Sequence, residues 1–290
     1  MPRDVCLIVN PHAGGGRAAK RLPDVEAALR ARGMRFRVER TSSMEHAREV
    51  AREARTAGET VAAMGGDGLT GAVAGELQGT DSPLAIVPGG RGNDFARKLG
   101  IPTDPAAAVG VIADGSTRTV DVAQAGGRTY LGIASAGFDS DVQVIANGTR
   151  LDLGNAVYVY GTLRALRTWR PADWTVTLDG ETREFRGYSV AVANSGMFGG
   201  GMQLVPGARL DDGLLDVVLT AESSRAHFLA CLPKVFKGTH VTDPALTFLQ
   251  AREVAFHADR PFTAFADGDP IADLPATIRV VPRALRVLAP

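Results

Sequence analysis

Three glycine-rich stretches carry much of the chemistry open to this sequence: residues 10–16 (NPHAGGG), 65–68 (GGDG) and 88–94 (PGGRGND). Successive backbone N–H groups of such loops, helped by a helix N-terminus, hold phosphate without any lysine. Glycine also permits positive φ and close approach of a ligand to the backbone. The plainer alternative is that these glycines only make tight turns between strands and helices. Asp67 suits a direct phosphate contact badly, because two anions repel. It suits a role through Mg²⁺ or water, one of holding its loop's own N–H groups, or a simple Asx turn. Asn93 and Asp94 open a helical stretch, DFARKLG, and either could cap it.

Further carboxylates lie downstream. Asp211, Asp212 and Asp216 gather around a turn in GGGMQLVPGARLDDGLLDV (199–217). Paired carboxylates suit a hard cation such as Mg²⁺, or else DDG is merely the turn into the strand LLDVVL. In FADGDP (265–270), Asp267 and Gly268 form a tight hairpin turn followed by Asp269. Asp179-Gly180 makes the same kind of turn with no chemistry attached, so this motif is weak on its own.

The elements that must position these groups come in two styles. In the first third, apolar runs VCLIV (5–9), TVAAM (60–64) and LAIV (84–87), with RFRVERT (35–41), alternate with helical stretches at 17–31 and 43–58. Pro23 is an irregularity in the first helix. Met44, Ala47, Val50, Ala51 and Ala54 share one face of the second, which Ser42 or Ser43 could cap. Such alternation predicts a parallel sheet with helices on both faces. Ligands bind at the C-terminal ends of its strands, where all three glycine loops fall. Beyond a boundary near 115–125 the rhythm becomes hairpins, around Gly126-Gly127 and Asp179-Gly180, with helices expected near 138–147, 154–168 and 224–236. The expected division is an α/β domain over 1–120 and a β-rich domain over 121–281; the last segment, 282–290 with LRVLA, is open to either domain, packing back on the first being one course.

The bulk numbers narrow the class. Lys plus Arg and Asp plus Glu are both 32 in 290 residues, so the net charge is zero. That argues against nucleic acid and against a polybasic anchor. Cys6 and Cys231 are expected to be buried, reduced thiols of a cytosolic protein. The opening MPRDVCLIVNP has only five apolar residues in a row, too few for a signal peptide. No run approaches a transmembrane segment.

Together these stretches resemble the diacylglycerol kinase superfamily, in particular bacterial soluble lipid kinases, with sphingoid-base and ceramide kinases as relatives. NPHAGGG looks like the first motif. GGDGLTGAVAGEL resembles GGDGT-x-x-E-V-x-N-G, and PGGRGNDFARKLGIP resembles P-x-G-T-x-N-D-F-A-R. GGGMQLVPGARLDDGLLDVVL and FADGDP are similar to the second-domain motifs, the latter to a D-G-E turn. Order and spacing hold from residue 9 to about 270. The resemblance implies a Rossmann-like nucleotide domain, a C-terminal β-sandwich and an active site in the cleft between them. It implies transfer of the γ-phosphoryl of ATP to a lipid hydroxyl, with Mg²⁺. Carried over, nucleotide contacts fall on Asn10, Pro11, His12, Ala13, Gly14, Thr41, Gly66, Asp67, Gly68, Leu69, Thr70, Gly71, Ala72 and Arg91. Asn93 and Asp94 are counted with them. A Mg²⁺ site falls on Asp212, with backbone carbonyls of Arg209 and Leu214. The general base falls on Asp269. The expected setting is the cytoplasm, with peripheral, transient contact with lipid at the inner membrane face. Oligomeric state is silent.

Four positions depart from that pattern: Leu69 for Thr, Ala72 for Glu, Arg91 for Thr and Asp269 for Glu. Arg91 could replace the hydroxyl missing at Leu69, since guanidinium binds phosphate through two donors. Asp269 is one C–C bond shorter, about 1.5 Å. The competing expectations are a nucleotide- or lipid-binding protein with little turnover and a kinase for a non-lipid hydroxyl compound. Residues 138–168 and 224–248 are candidates for an acyl groove.

Overall fold

A computed structural model describes residues 4–149 and 156–290. The chain divides into two compact units, residues 1–122 with 283–290, and residues 123–282.

In the first unit the elements are β1 (Asp4–Val9), α1 (Ala13–Ala31), β2 (Arg35–Arg40), α2 (Met44–Thr56), β3 (Thr60–Gly65), α3 (Asp67–Leu77), β4 (Leu84–Pro88), α4 (Asp94–Lys98), α5 (Pro105–Asp114) and β5 (Ser116–Ala125), whose end enters the second unit. Strands β4, β3, β1 and β2 lie side by side in that order, all parallel, with Val5 opposite both Phe36 and Thr60 and Val61 opposite Leu84. Residues 5–9, all of β3 and all of β4 are buried, which is why these strands are continuous apolar runs. Gly14, Gly15 and Gly16 stand at φ 62°, 69° and 85° at the head of α1, so regular helix starts at Arg17, where the sequence places it. Ser43 caps α2, its hydroxyl accepting from the His46 N–H at 3.0 Å. Residues 283–290 belong to this unit, with Val287 parallel to Leu84.

The second unit contains β6 (Arg128–Tyr130), β7 (Ile133–Gly137), α6 (Phe138–Gly148), α7 (Ala156–Leu166), β8 (Ala172–Leu178), β9 (Glu181–Ala193), β10 (Met197–Phe198), β11 (Met202–Gln203), β12 (Leu215–Ala221), α8 (Arg225–Lys237), β13 (Leu246–Ala251), β14 (Glu253–Ala258), β15 (Thr263–Ala266), β16 (Asp269–Asp273) and most of β17 (Ala276–Ala289). Positions 154 and 155 of the expected helix, and residues 150–155 of the candidate acyl segment, lie outside the described residues.

Strand β9 serves two antiparallel sheets. Its first half pairs with β8, which continues to β14 and β17; its second half lies between β7 and β12. Gly187 marks the changeover, where a Cβ would stand 2.2 Å from the Thr220 carbonyl oxygen. The two sheets enclose one core, with Trp174, Val176, Phe256 and Ile278 from one side and Val190, Val192, Leu215 and Val217 from the other. This is sandwich packing, so each strand alternates inward and outward residues. Helices α6 and α8 meet through Phe138, which sits edge-on to Phe228 with ring centroids 4.8 Å apart. Cys6 is buried and Cys231 half-buried; both are free thiols.

Candidate functional site

The three glycine loops of the first unit converge on one sheet edge. Gly89 and Gly90 both donate their N–H groups to the Gly65 carbonyl, at 2.8 and 3.0 Å. A Cβ on Gly90 would stand 2.4 Å from the Gly66 Cα, and one on Gly14 would stand 2.6 Å from the Gly89 oxygen. Only glycine lets the three backbones approach this closely. Gly15 and Gly16 differ, having open space where a side chain would stand. The N-terminus of α3 has no side-chain cap, which leaves first-turn N–H groups for a ligand. Asn10 orders its own loop by accepting the His12 N–H at 3.0 Å, and Thr41 bonds the Val9 carbonyl through its N–H at 2.8 Å.

Asp67 holds a neighbouring loop. Its Oδ1 accepts the Phe95 N–H at 3.1 Å, so it secures the start of α4 from outside. Burial pushes its carboxyl above the usual range, while backbone N–H groups of residues 93–95 and its own pull the other way. Asn93 stands in the left-handed region at φ 53° and makes no cap bond. Its carboxamide instead clamps Gly90, accepting its N–H at 2.8 Å and donating to its carbonyl at 3.1 Å. Asp94 is buried.

The departures from the motif now have locations. Leu69 is 1% exposed, and its side chain lies so close over Gly65 that a Cβ there would meet it at 2.7 Å. It fills the space beneath the loop, leaving only its backbone for a ligand. Thr70 is also buried, its hydroxyl donating to the Gly66 carbonyl at 3.1 Å. Ala72 is half-buried on α3. Arg91 is exposed and makes no ion pair among the described residues.

In the second unit, Asp267 and Gly268 adopt φ 52° and 95°, a turn with both central residues left-handed. The Asp267 carboxylate accepts the N–H groups of Leu131 and Gly132 at 2.9 and 3.0 Å. Gly132 is obligatory there, since a Cβ would stand 2.2 Å from that carboxylate. From α6, Asn147 donates to the Gly268 carbonyl at 3.0 Å. Asp179 uses its carboxylate in the same way, accepting from Arg252 and Glu253. In both turns the first aspartate is committed to backbone. Asp269, exposed at the head of β16, is the carboxylate this turn presents outward. Gly132 and Asn147 have no local sequence signal, because their partners lie more than a hundred positions away.

The expected gathering of Asp211, Asp212 and Asp216 does not form. Asp216 departs along β12 and accepts from Gln250 at 2.9 Å, and Asp211 pairs with Arg209 at 3.3 Å. Asp212 Oδ1 accepts the Leu214 N–H at 3.1 Å around Gly213, at φ 73°. Among the described residues no three or more His, Cys, Asp or Glu side chains converge as a metal site. What remains at this turn is one half-buried carboxylate with neighbouring backbone carbonyls, an all-oxygen donor set compatible with a hard, partly hydrated cation.

A parallel α/β unit with glycine loops at its strand ends, joined in sequence to a β-sandwich, is the architecture of a phosphotransferase family. Residues 4–125 match the diacylglycerol kinase catalytic domain, and residues 132–289 match the YegS C-terminal NAD kinase beta sandwich-like domain. A diacylglycerol kinase of Mycobacterium tuberculosis is 36% identical, over 99% of this chain and 95% of its own length. A protein of Pseudomonas fluorescens named "Probable lipid kinase YegS-like" is 32% identical over 92% of this chain and 91% of its own. A crystal structure of a diacylglycerol kinase from Bacillus anthracis superposes with a TM-score of 0.77 at 24% identity, covering 99% of this chain and 97% of that one. The chain belongs to the diacylglycerol kinase family of lipid kinases. Among the described residues no helix is long and apolar enough to cross a membrane.

Proposed function

We propose that this protein transfers the γ-phosphoryl group of ATP, with Mg²⁺, to the hydroxyl of a diacylglycerol-like lipid at a membrane surface. The observation that carries this reading is the convergence of the three glycine loops, with open space at Gly15 and Gly16 and an uncapped α3 N-terminus among them. Phosphoryl transfer asks a protein mainly for positioning and charge stabilisation. The loops around Gly14 and Gly66 and the start of α3 bind the phosphates through N–H groups, and the loop around Gly90, whose N–H groups are held by Gly65 and Asn93, braces them. Arg91 adds a guanidinium, supplying from the third loop what Leu69 does not offer. Asp67 and Asn93 keep those loops in register. Asp269 accepts the proton of the attacking hydroxyl. Asp212, with the carbonyls of Arg209 and Leu214, would hold Mg²⁺, which when bound offsets negative charge.

Purified protein given labelled ATP, Mg²⁺ and mixed micelles containing diacylglycerol or other hydroxyl lipids yields labelled phospholipid. Transfer to none of a broad lipid panel, with ATP binding intact, would overturn the reading. Arg91→Thr weakens ATP binding by roughly tenfold, the effect of losing a charge-assisted phosphate contact of about 1.5 kcal/mol. Unaltered affinity in calorimetric titration would remove Arg91 from the site.

A further inference from the structure

Among the described residues, six large hydrophobic side chains are exposed, and four of them sit on α6 and α7. Val144 is 55% exposed, Val159 51%, Tyr160 39% and Leu163 55%. The inner face of α7 is buried through Val157, Gly161, Thr162, Ala165 and Leu166. The outer face of a water-facing helix is normally polar. Here it carries Val159, Tyr160, Leu163 and Arg164, and the segment just beyond the helix adds Arg167 and Arg170, all exposed.

The same three arginines line an open groove with Arg260, Val144 and Asp141. Arg260 is held in place, its guanidinium 5.2 Å from the Trp169 ring centre and 5.0 Å from that of Phe262. Arg164 reaches the Tyr160 hydroxyl at 3.2 Å. Arg167 and Arg170 pair with no carboxylate among the described residues. Among the described residues Asp141 is the only acidic one lining the groove; burial pushes its carboxyl upward against the pull of Arg260. A chain of zero net charge thus gathers four arginines beside exposed aliphatic tips, against Asp141 in the groove and Asp259 at 3.8 Å from Arg260.

We infer that the α6–α7 face docks on an anionic phospholipid bilayer, with Val144, Val159, Tyr160 and Leu163 entering the interface and Arg164, Arg167, Arg170 and Arg260 meeting lipid phosphates. Interfacial binding of this kind adds buried apolar area to attraction for anionic headgroups. Arginine suits it because its stem lies along apolar surface while its head stays at phosphate level. The placement also has a use, and here the inference rests on the lipid-kinase reading. Asn147 lies one turn beyond Val144 on α6 and bonds the Gly268 carbonyl. Seating α6 on a bilayer therefore brings the Asp269 turn to the lipid surface.

The test is sedimentation with vesicles in the absence of ATP and of any acceptor lipid. It reads docking alone, whereas the micelle transfer assay reads the kinase. Wild type is expected to sediment with equimolar phosphatidylcholine–phosphatidylglycerol vesicles, less so in high salt, and not with phosphatidylcholine alone. The triple variant R164Q/R167Q/R170Q is expected to lose on the order of 10²-fold in partition, about fivefold per charge. Leu163→Ser with Val159→Ser should lose binding even in low salt. Circular dichroism and an unchanged ATP affinity establish that each variant is folded. Vesicle binding by the triple variant equal to wild type would overturn the inference. So would binding independent of lipid charge, or a wild-type dimer that the Leu163→Ser, Val159→Ser variant dissociates, which would assign the face to a second copy.

Discussion

Asp269→Asn abolishes phosphoryl transfer, lowering kcat by about 10²–10⁴-fold, while ATP affinity stays nearly unchanged. Asparagine keeps the size and polarity of the side chain but cannot take a proton from a hydroxyl. Asp269 is exposed at the head of β16, outside the packed interior, so the variant should fold normally. The turn before it is held rigid by three contacts. Asp267 is bound to two N–H groups, Gly132 leaves room for that carboxylate, and Asn147 holds the Gly268 carbonyl. A fixed turn cannot easily advance to make up for a side chain one methylene shorter than the motif's glutamate. Either the acceptor hydroxyl comes closer here, or the rate is limited by reach. Asp269→Glu separates these cases: a rise in kcat assigns the limit to reach, and a fall indicates a site fitted to aspartate. Steady-state assays on Asp269→Asn that return the wild-type kcat would remove Asp269 as the base, and Asp267 could not replace it without releasing the Leu131 and Gly132 N–H groups.

The order of elements was legible because the physics behind it is local. Strands buried on both faces must be apolar throughout, as β1, β3 and β4 are. The glycine loops were legible as well, since a backbone approach closer than a Cβ allows leaves glycine as the remaining choice. Other features depend on partners far along the chain. The sequence around Asp67 permits a metal, water or structural role, and the Phe95 N–H that it meets lies 28 positions on. Leu69 reads locally as a missing hydroxyl, but packed against Gly65 it is a core residue. The three aspartates near 211–216 read as a cluster because neighbours in sequence are easily taken as neighbours in space. An extended strand turns Asp216 toward Gln250 instead. The last segment, LRVLA, was open to either domain because its apolar run fits a buried strand in both. Arg283 adopts φ 51° inside a single strand, and the residues after it join the first unit.

The largest effect in the first unit is expected from Gly90→Ala. Its Cβ would stand 2.4 Å from the Gly66 Cα, 3.0 Å from the Gly66 nitrogen and 3.1 Å from the Asn93 Oδ1. The first two are backbone atoms and cannot rotate aside. Relief requires the second and third loops to part, which strains the paired bonds from Gly89 and Gly90 to the Gly65 carbonyl. Overpacking of this kind costs about 1–3 kcal/mol, so the melting temperature should fall along with ATP affinity. Gly66→Ala is the informative contrast. Its φ is −95°, which any residue adopts, and its Cβ would meet only the Gly90 Cα, at an ordinary 3.5 Å. It should therefore fold and melt like wild type while losing ATP affinity, because the new methyl obstructs a ligand approaching the backbone rather than the protein itself. The pair distinguishes glycines that pack loop on loop from glycines that leave room for phosphate. A Gly66→Ala protein that binds ATP as tightly as wild type would mean that these glycines serve only the turns between strand and helix.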